Sequence, residues 1–159
     1  VLTQKFTNCG VLYPLQTFTK TKKLRYDEIP FFIEAENAED TQKLKEVALR
    51  ISNDVFELDF ASRMEIQMCG VWVSNFVNHM YKIAGDFCEK NNVPFDVLLP
   101  IIKETAEKVD EMKPYDAQTG PARRGDEVII NRHLELLQKD SRLLQIYQIL
   151  TDSIKREYE

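Results

Sequence analysis

At 159 residues, 43% hydrophobic and 30% charged, the chain has the length of one domain, or of one domain with a piece of another, and can bury a core without disulfides. Its net charge of −5, with most lysines and arginines close to acids, excludes the basic face that sequence-independent nucleic-acid binding needs. No stretch approaches the length of a membrane span, no signal-peptide pattern opens the chain, and Cys9, Cys69 and Cys88 form no C-x-x-C pair, so a cytoplasmic protein without a membrane or nucleic-acid partner is expected.

The first third reads as α/β. Residues 10–18 (GVLYPLQTF) and 29–35 (IPFFIEA) are short apolar runs with aromatics, bounded by turn residues, and they predict strands. The polar stretch TKTKKLRYDE connects them. Over 37–52 the pattern changes to helix: Leu44, Val47, Ala48 and Ile51 fall at three- and four-residue spacing, and Asn37 is placed to cap the N-terminus. Residues 54–60 (DVFELDF) alternate as a strand near a sheet edge does. Three strands leave an exposed edge, which predicts that the sheet continues in residues outside this chain. The start at Val1 rather than Met fits a processed or excised piece of a longer protein.

From residue 61 onward the pattern is helical. Between Arg63 and Lys90, Ile66, Cys69, Val73, Phe76, Met80, Ile83 and Phe87 follow steps of three and four, a seam for packing against other helices. Val71, Trp72 and Val77 widen the apolar surface, so this central rod is expected to be buried on more than one side. Residues 95–112 predict a short turn followed by a helix starting near Pro100, where a missing N–H does no harm. Two further helices are expected over 126–139 and 141–158.

The decapeptide AQTGPARRGD, residues 117–126, breaks this pattern. Gly120-Pro121 turns the chain and Asp126 is a good N-cap for the next helix, which is a complete structural account. A functional account is also open: two guanidinium groups, free backbone N–H groups and the Thr119 hydroxyl could hold a carboxylate or phosphate. The tripeptide Arg124-Gly125-Asp126 matches the integrin-recognition sequence by chance, since no secretion signal accompanies it.

Taken in order, GVLYPLQTF, PFFIEA, the helix with R-x-x-I and V-S-N-F-V-N-H (73–79), LLPIIKETA (98–106), AQTGPARRGD and the late L-T-D-S-I span almost the whole chain. This set resembles the C-terminal portion of bacterial proteins assigned as NADP oxidoreductases, in which a Rossmann-like domain precedes a helical domain of uncharacterised function. The wider class is the 6-phosphogluconate dehydrogenase C-terminal-like helical domain. The resemblance implies a mainly α fold. Residues 1–60 would be the terminal strands and helix of an incomplete Rossmann-like domain, and 61–159 a helical bundle for substrate binding and dimerisation. It implies NADP for the full-length protein only, because no G-x-G-x-x-G occurs here and this chain alone is expected to bind none.

The resemblance also implies a small-molecule substrate, anionic if Arg124 anchors it, held beside the nicotinamide. Tyr13, Pro14 and Gln16 leave a strand where a Rossmann sheet meets its ligand, though packing of a strand end explains them equally well. On the central helix Asn75 and Asn78 interrupt an apolar rod, and Gln67, Ser74 and Asn78 form one polar stripe. These amides either satisfy each other in a core network or orient substrate. Substrate binding is thus assigned to Asn75, Asn78, Thr119, Gly120 and Arg124. The family usually carries His where this chain has Gln67, and glutamine cannot exchange a proton near neutral pH. No catalytic residue is assigned. His79 and His133 lie in no metal-ligand spacing, and no metal is expected. Two readings follow: the substrate-cleft and homodimer part of an NAD(P)-dependent oxidoreductase, dimerising through the exposed side of the long seam, or a non-catalytic helical scaffold or regulatory dimerisation module.

Overall fold

A computed structural model describes residues 9–21 and 23–158. The fold is mainly α, with a small three-stranded sheet at its N-terminal end. Strand β1 (Gly10–Pro14) pairs antiparallel with β2 (Phe31–Ala35), placing Tyr13 opposite Phe32. Helix α1 (Ala38–Leu49) leads to β3 (Val55–Glu57), which pairs parallel with β2 and places Phe56 opposite Phe32. Among the described residues β3 is an edge of the sheet, as its alternation predicts.

Alternation along β2 divides its residues between two faces. Phe31 and Ile33 join Ile29 and Ala48 of α1 in a buried core, with Leu12, Leu44 and Val55 packed around it. On the opposite face Tyr13, Phe32 and Phe56 form a stacked row across all three strands, with centroids 6.4 Å and 5.6 Å apart. Gly10 lies under α1: a Cβ there would come within 2.5 Å of Leu44 Cδ1 and 2.8 Å of the Glu34 carbonyl oxygen. Asn37 caps α1 as expected, its Oδ1 accepting from the Asp40 N–H at 2.9 Å.

After β3 the chain enters one long helical rod: α2 (Phe60–Gly70), a π-helical turn (Val71–Phe76) and α3 (Val77–Lys90). Its start is fixed from both sides. The Asp59 carboxylate caps it by accepting from the Ser62 N–H at 2.8 Å, and Glu34 on β2 pairs with Arg63 while accepting from the Phe60 N–H at 3.2 Å. The change of character expected near residue 60 is therefore the start of α2. Packing divides the chain into two compact units with the boundary between Val93 and Pro94, the rod and the sheet both falling in the first.

The seam along the rod is corrected by the structure. Ile66, Met80 and Ile83 are half-buried, whereas Cys69, Val73, Phe76 and Phe87 are exposed, Val73 to 75%. The rod is not buried on more than one side. The half-buried face runs instead through Ile66, Gly70, Ser74, Val77, Tyr81, Ala84 and Cys88, one residue on from the apolar seam after Ile66.

The second unit is helical. A short 3-10 turn (Phe95–Leu98) precedes α4 (Leu99–Glu111), whose Pro100 sits in the first turn as expected. The short helices α5 (Pro114–Ala117) and α6 (Pro121–Arg124) follow, then α7 (Glu127–Leu137), capped by Asp126, and α8 (Ser141–Tyr158). Ile130 is buried between these elements, and His133 Nδ1 lies 2.7 Å from the Tyr147 hydroxyl, joining α7 to α8.

Candidate functional site

Chain direction at the end of β1 and helix geometry in the rod combine to make a concave site in the first unit. The β1 exit contributes Tyr13, Leu15, Gln16 and Thr17. The rod contributes Gln67, Gly70 and Val71 before and at the start of the π turn, and Val73, Ser74 and Asn75 within it. Together they line a hollow of about 360 Å³. Gly70 allows the close approach, since a Cβ there would stand 3.1 Å from Leu15 Cδ1.

Tyr13 is held by its stacking on Phe32, which directs the ring from the sheet face. The Leu15 N–H donates to the Pro30 carbonyl at 2.9 Å and extends the β1 ladder by one residue before the chain turns away. Gln16 folds onto the next residue, its Oε1 accepting from the Thr17 N–H at 2.8 Å, so its amide NH2 is what it can offer a ligand. Among the described residues the side chains of Gln67, Ser74 and Asn75 have no hydrogen-bond partner, and water reaches them. Every polar side chain in the lining is a hydroxyl or an amide. The hollow can therefore donate and accept hydrogen bonds without placing a charge.

The structure brings Tyr13, Gln16 and Asn75 together, and adds Gln67 and Ser74 from the predicted polar stripe. Asn78 is exposed, lies past the π turn and is not among the lining residues. Pro14 ends β1 opposite Phe31, where it serves the sheet rather than the hollow. Leu15 and Thr17 belong to the segment expected at the strand exit, whereas Gly70 carried no sequence signal, because it enters the lining through the meeting of two segments about fifty residues apart.

Thr119, Gly120 and Arg124 lie in the second unit, where AQTGPARRGD has a structural role in full view. Gly120 at φ 103° and Gly125 at φ 65° adopt backbone that L side chains rarely take, and they open and close α6. The Gly125 and Asp126 N–H groups return to the Ala122 and Pro121 carbonyls. The Asp126 carboxylate accepts from the Ile129 N–H at 3.2 Å. Arg123 lies 4.1 Å from the Tyr158 ring centroid, and Tyr158 stacks on Tyr115, so this arginine fastens the segment to α8. Arg124 is exposed, with no ion pair among the described residues, and Thr119 is exposed as well. No group of three His, Cys, Asp or Glu side chains converges among the described residues, and no helix there is long and apolar enough to cross a membrane.

The family model for a domain of unknown function, DUF2520, matches residues 29–154. The chain belongs to the DUF2520 family. This domain is similar to a crystal structure from Bacteroides fragilis described provisionally as an NADP oxidoreductase, at 45% identity and a TM-score of 0.90. The match takes in 96% of this chain and 59% of that one, so the DUF2520 domain spans under two thirds of its relative's length. A Thermotoga maritima protein shares the fold at 18% identity and a TM-score of 0.78, over 94% of this chain and 61% of that one. No curated protein matches the chain.

Proposed function

We propose that this chain is the C-terminal part of an NAD(P)-dependent oxidoreductase, supplying the substrate hollow and the homodimer contact for hydride transfer to or from a small molecule. The observation that carries the reading is the meeting of the β1 exit with the π turn, in a chain so close to the Bacteroides protein. π turns inside α-helices occur frequently at functional sites, because they widen one turn and free it from regular packing. The nicotinamide cofactor supplies the redox step; the tasks left to these residues are orienting the substrate and excluding water.

The residues present do not fit the cofactor's pyrophosphate. The hollow has no glycine-rich turn and no cationic side chain in its lining. NADP is accordingly assigned to the full-length protein, with this chain holding the uncharged reactant. Calorimetric titration of NADP tests this directly: the full-length protein binds and the 159-residue chain does not. Binding by neither sinks the oxidoreductase reading.

A second reading, a non-catalytic scaffold, is favoured by Gln67 in the hollow, where the family resemblance puts a histidine. The lining holds no His, Asp, Glu, Lys or Arg side chain. The homodimer in either reading is supported by large apolar side chains left in water on α7 and α8, Leu136 at 77% and Ile149 at 67% exposure.

A further inference from the structure

The hollow at the π turn has a neighbour. Gln67 and Val71 also line a second hollow of about 370 Å³, whose other walls are Met64, Met68, Trp72 and Phe76. Trp72 and Phe76 meet edge to face with centroids 4.8 Å apart. This wall stays in water: Met68 is 55% exposed and Trp72 56%. Thioethers and aromatic rings together make a polarisable surface that adapts to varied apolar shapes.

The two hollows differ in chemistry and share two side chains. The first offers amides and hydroxyls and no Asp, Glu, Lys, Arg or His side chain, so an ion entering it would meet no counter-charge in the lining. A neutral carboxamide or hydroxyl would instead exchange water for Gln67, Ser74 and Asn75. The second offers only apolar contact apart from Gln67.

We propose that the two hollows are halves of one site for a small uncharged amphiphile. Its hydrogen-bonding head lies beside Gln67, Ser74 and Asn75, and its aromatic or aliphatic body lies on Met64, Met68 and Trp72. This rests on the first hollow being the substrate site and names the class of substrate it takes. The adjoining polar walls decide for a small molecule, because the helix of a second copy would match the apolar half alone.

Trp72 is the only tryptophan in the chain, so its emission reports this site without interference. The 159-residue chain is titrated, with no nicotinamide cofactor present, with acetamide, phenylpropanamide and phenylpropanoate. Phenylpropanamide shifts the emission saturably and binds at least about 10-fold more tightly than the head alone or the charged analogue, a gap of about 1.4 kcal/mol. Met68→Arg, at an exposed helical position, brings phenylpropanamide down to the affinity of acetamide. Gln67→Ala weakens it by about the same factor with helix content unchanged by circular dichroism. Equal binding of amide and carboxylate overturns the proposal, as does a titration with no saturation. A fall in sedimenting mass from two chains to one on Met68→Arg also overturns it, since the apolar wall then belongs to a second copy. With the cofactor absent, these outcomes stay separate from the NADP test.

Discussion

Ser52 closes the link between α1 and β3 with a single hydroxyl. At 2% exposure it donates to the Ile29 carbonyl at 2.6 Å and accepts from the Asp54 N–H at 3.1 Å. Removing it takes a partner from the carbonyl of buried Ile29 and from the Asp54 N–H. Ser52→Ala is expected to cost about 1–3 kcal/mol in denaturant unfolding, with an unchanged slope. A loss below about 0.5 kcal/mol would show that water takes over both bonds. Residues of this kind are only partly legible in sequence. Asn37 and Asp126 announce themselves as caps because their partners lie three residues on. Ser52 does not, because one of its partners is 23 residues away. Arg123 and Arg124 look alike in the sequence; contact with Tyr158 engages the first and leaves the second in water.

The rod is where elements decide function. Its direction is set at α2 by the pair between Arg63 and Glu34, backed by the Arg63 donation to the Leu58 carbonyl at 3.4 Å. Breaking this partly buried pair leaves a carboxylate without its partner. Arg63→Ala is expected to lower stability by about 2 kcal/mol, and to loosen the Trp72 site through the changed angle of α2; an unfolding midpoint within error of wild type would refute the clamp. Titration gives a second test. The Ser62 backbone N–H, then the Ser62 side chain, hold the Asp59 carboxyl below its ordinary value of 3.8, with Arg63 contributing less. A lowered folded pKa means that the cap's contribution is complete above pH 3.8 and is lost as pH falls through the lower, folded value. Asp59→Asn should therefore flatten the stability profile on the acid side of that point and leave the alkaline side unaltered. A profile with the same acid slope in both proteins would exclude the cap as its source. The helix itself was legible from its three-and-four spacing. The π turn was not, because a widened turn changes hydrogen-bond partners without altering which residues are apolar.

At the scale of the molecule the open question is what covers the apolar side chains left in water. Sedimentation of the wild-type chain is expected to give the mass of two copies, and Leu136→Glu with Ile149→Glu the mass of one, since a charge there would be desolvated on pairing. A wild-type chain sedimenting as one copy would remove the homodimer from both readings. The sequence by itself determined the fold class, the succession of strands and long helices, and the caps at Asn37 and Asp126, because these depend on local periodicity and on partners a few residues apart. Only the tertiary structure decided which polar residues share a site. It joined Tyr13 and Gln16 to Gln67, Ser74 and Asn75, set Arg123 against Tyr158, and left Asn78 outside the hollow. The physical reason is that a site depends on where two distant segments meet, and local periodicity carries no record of that meeting.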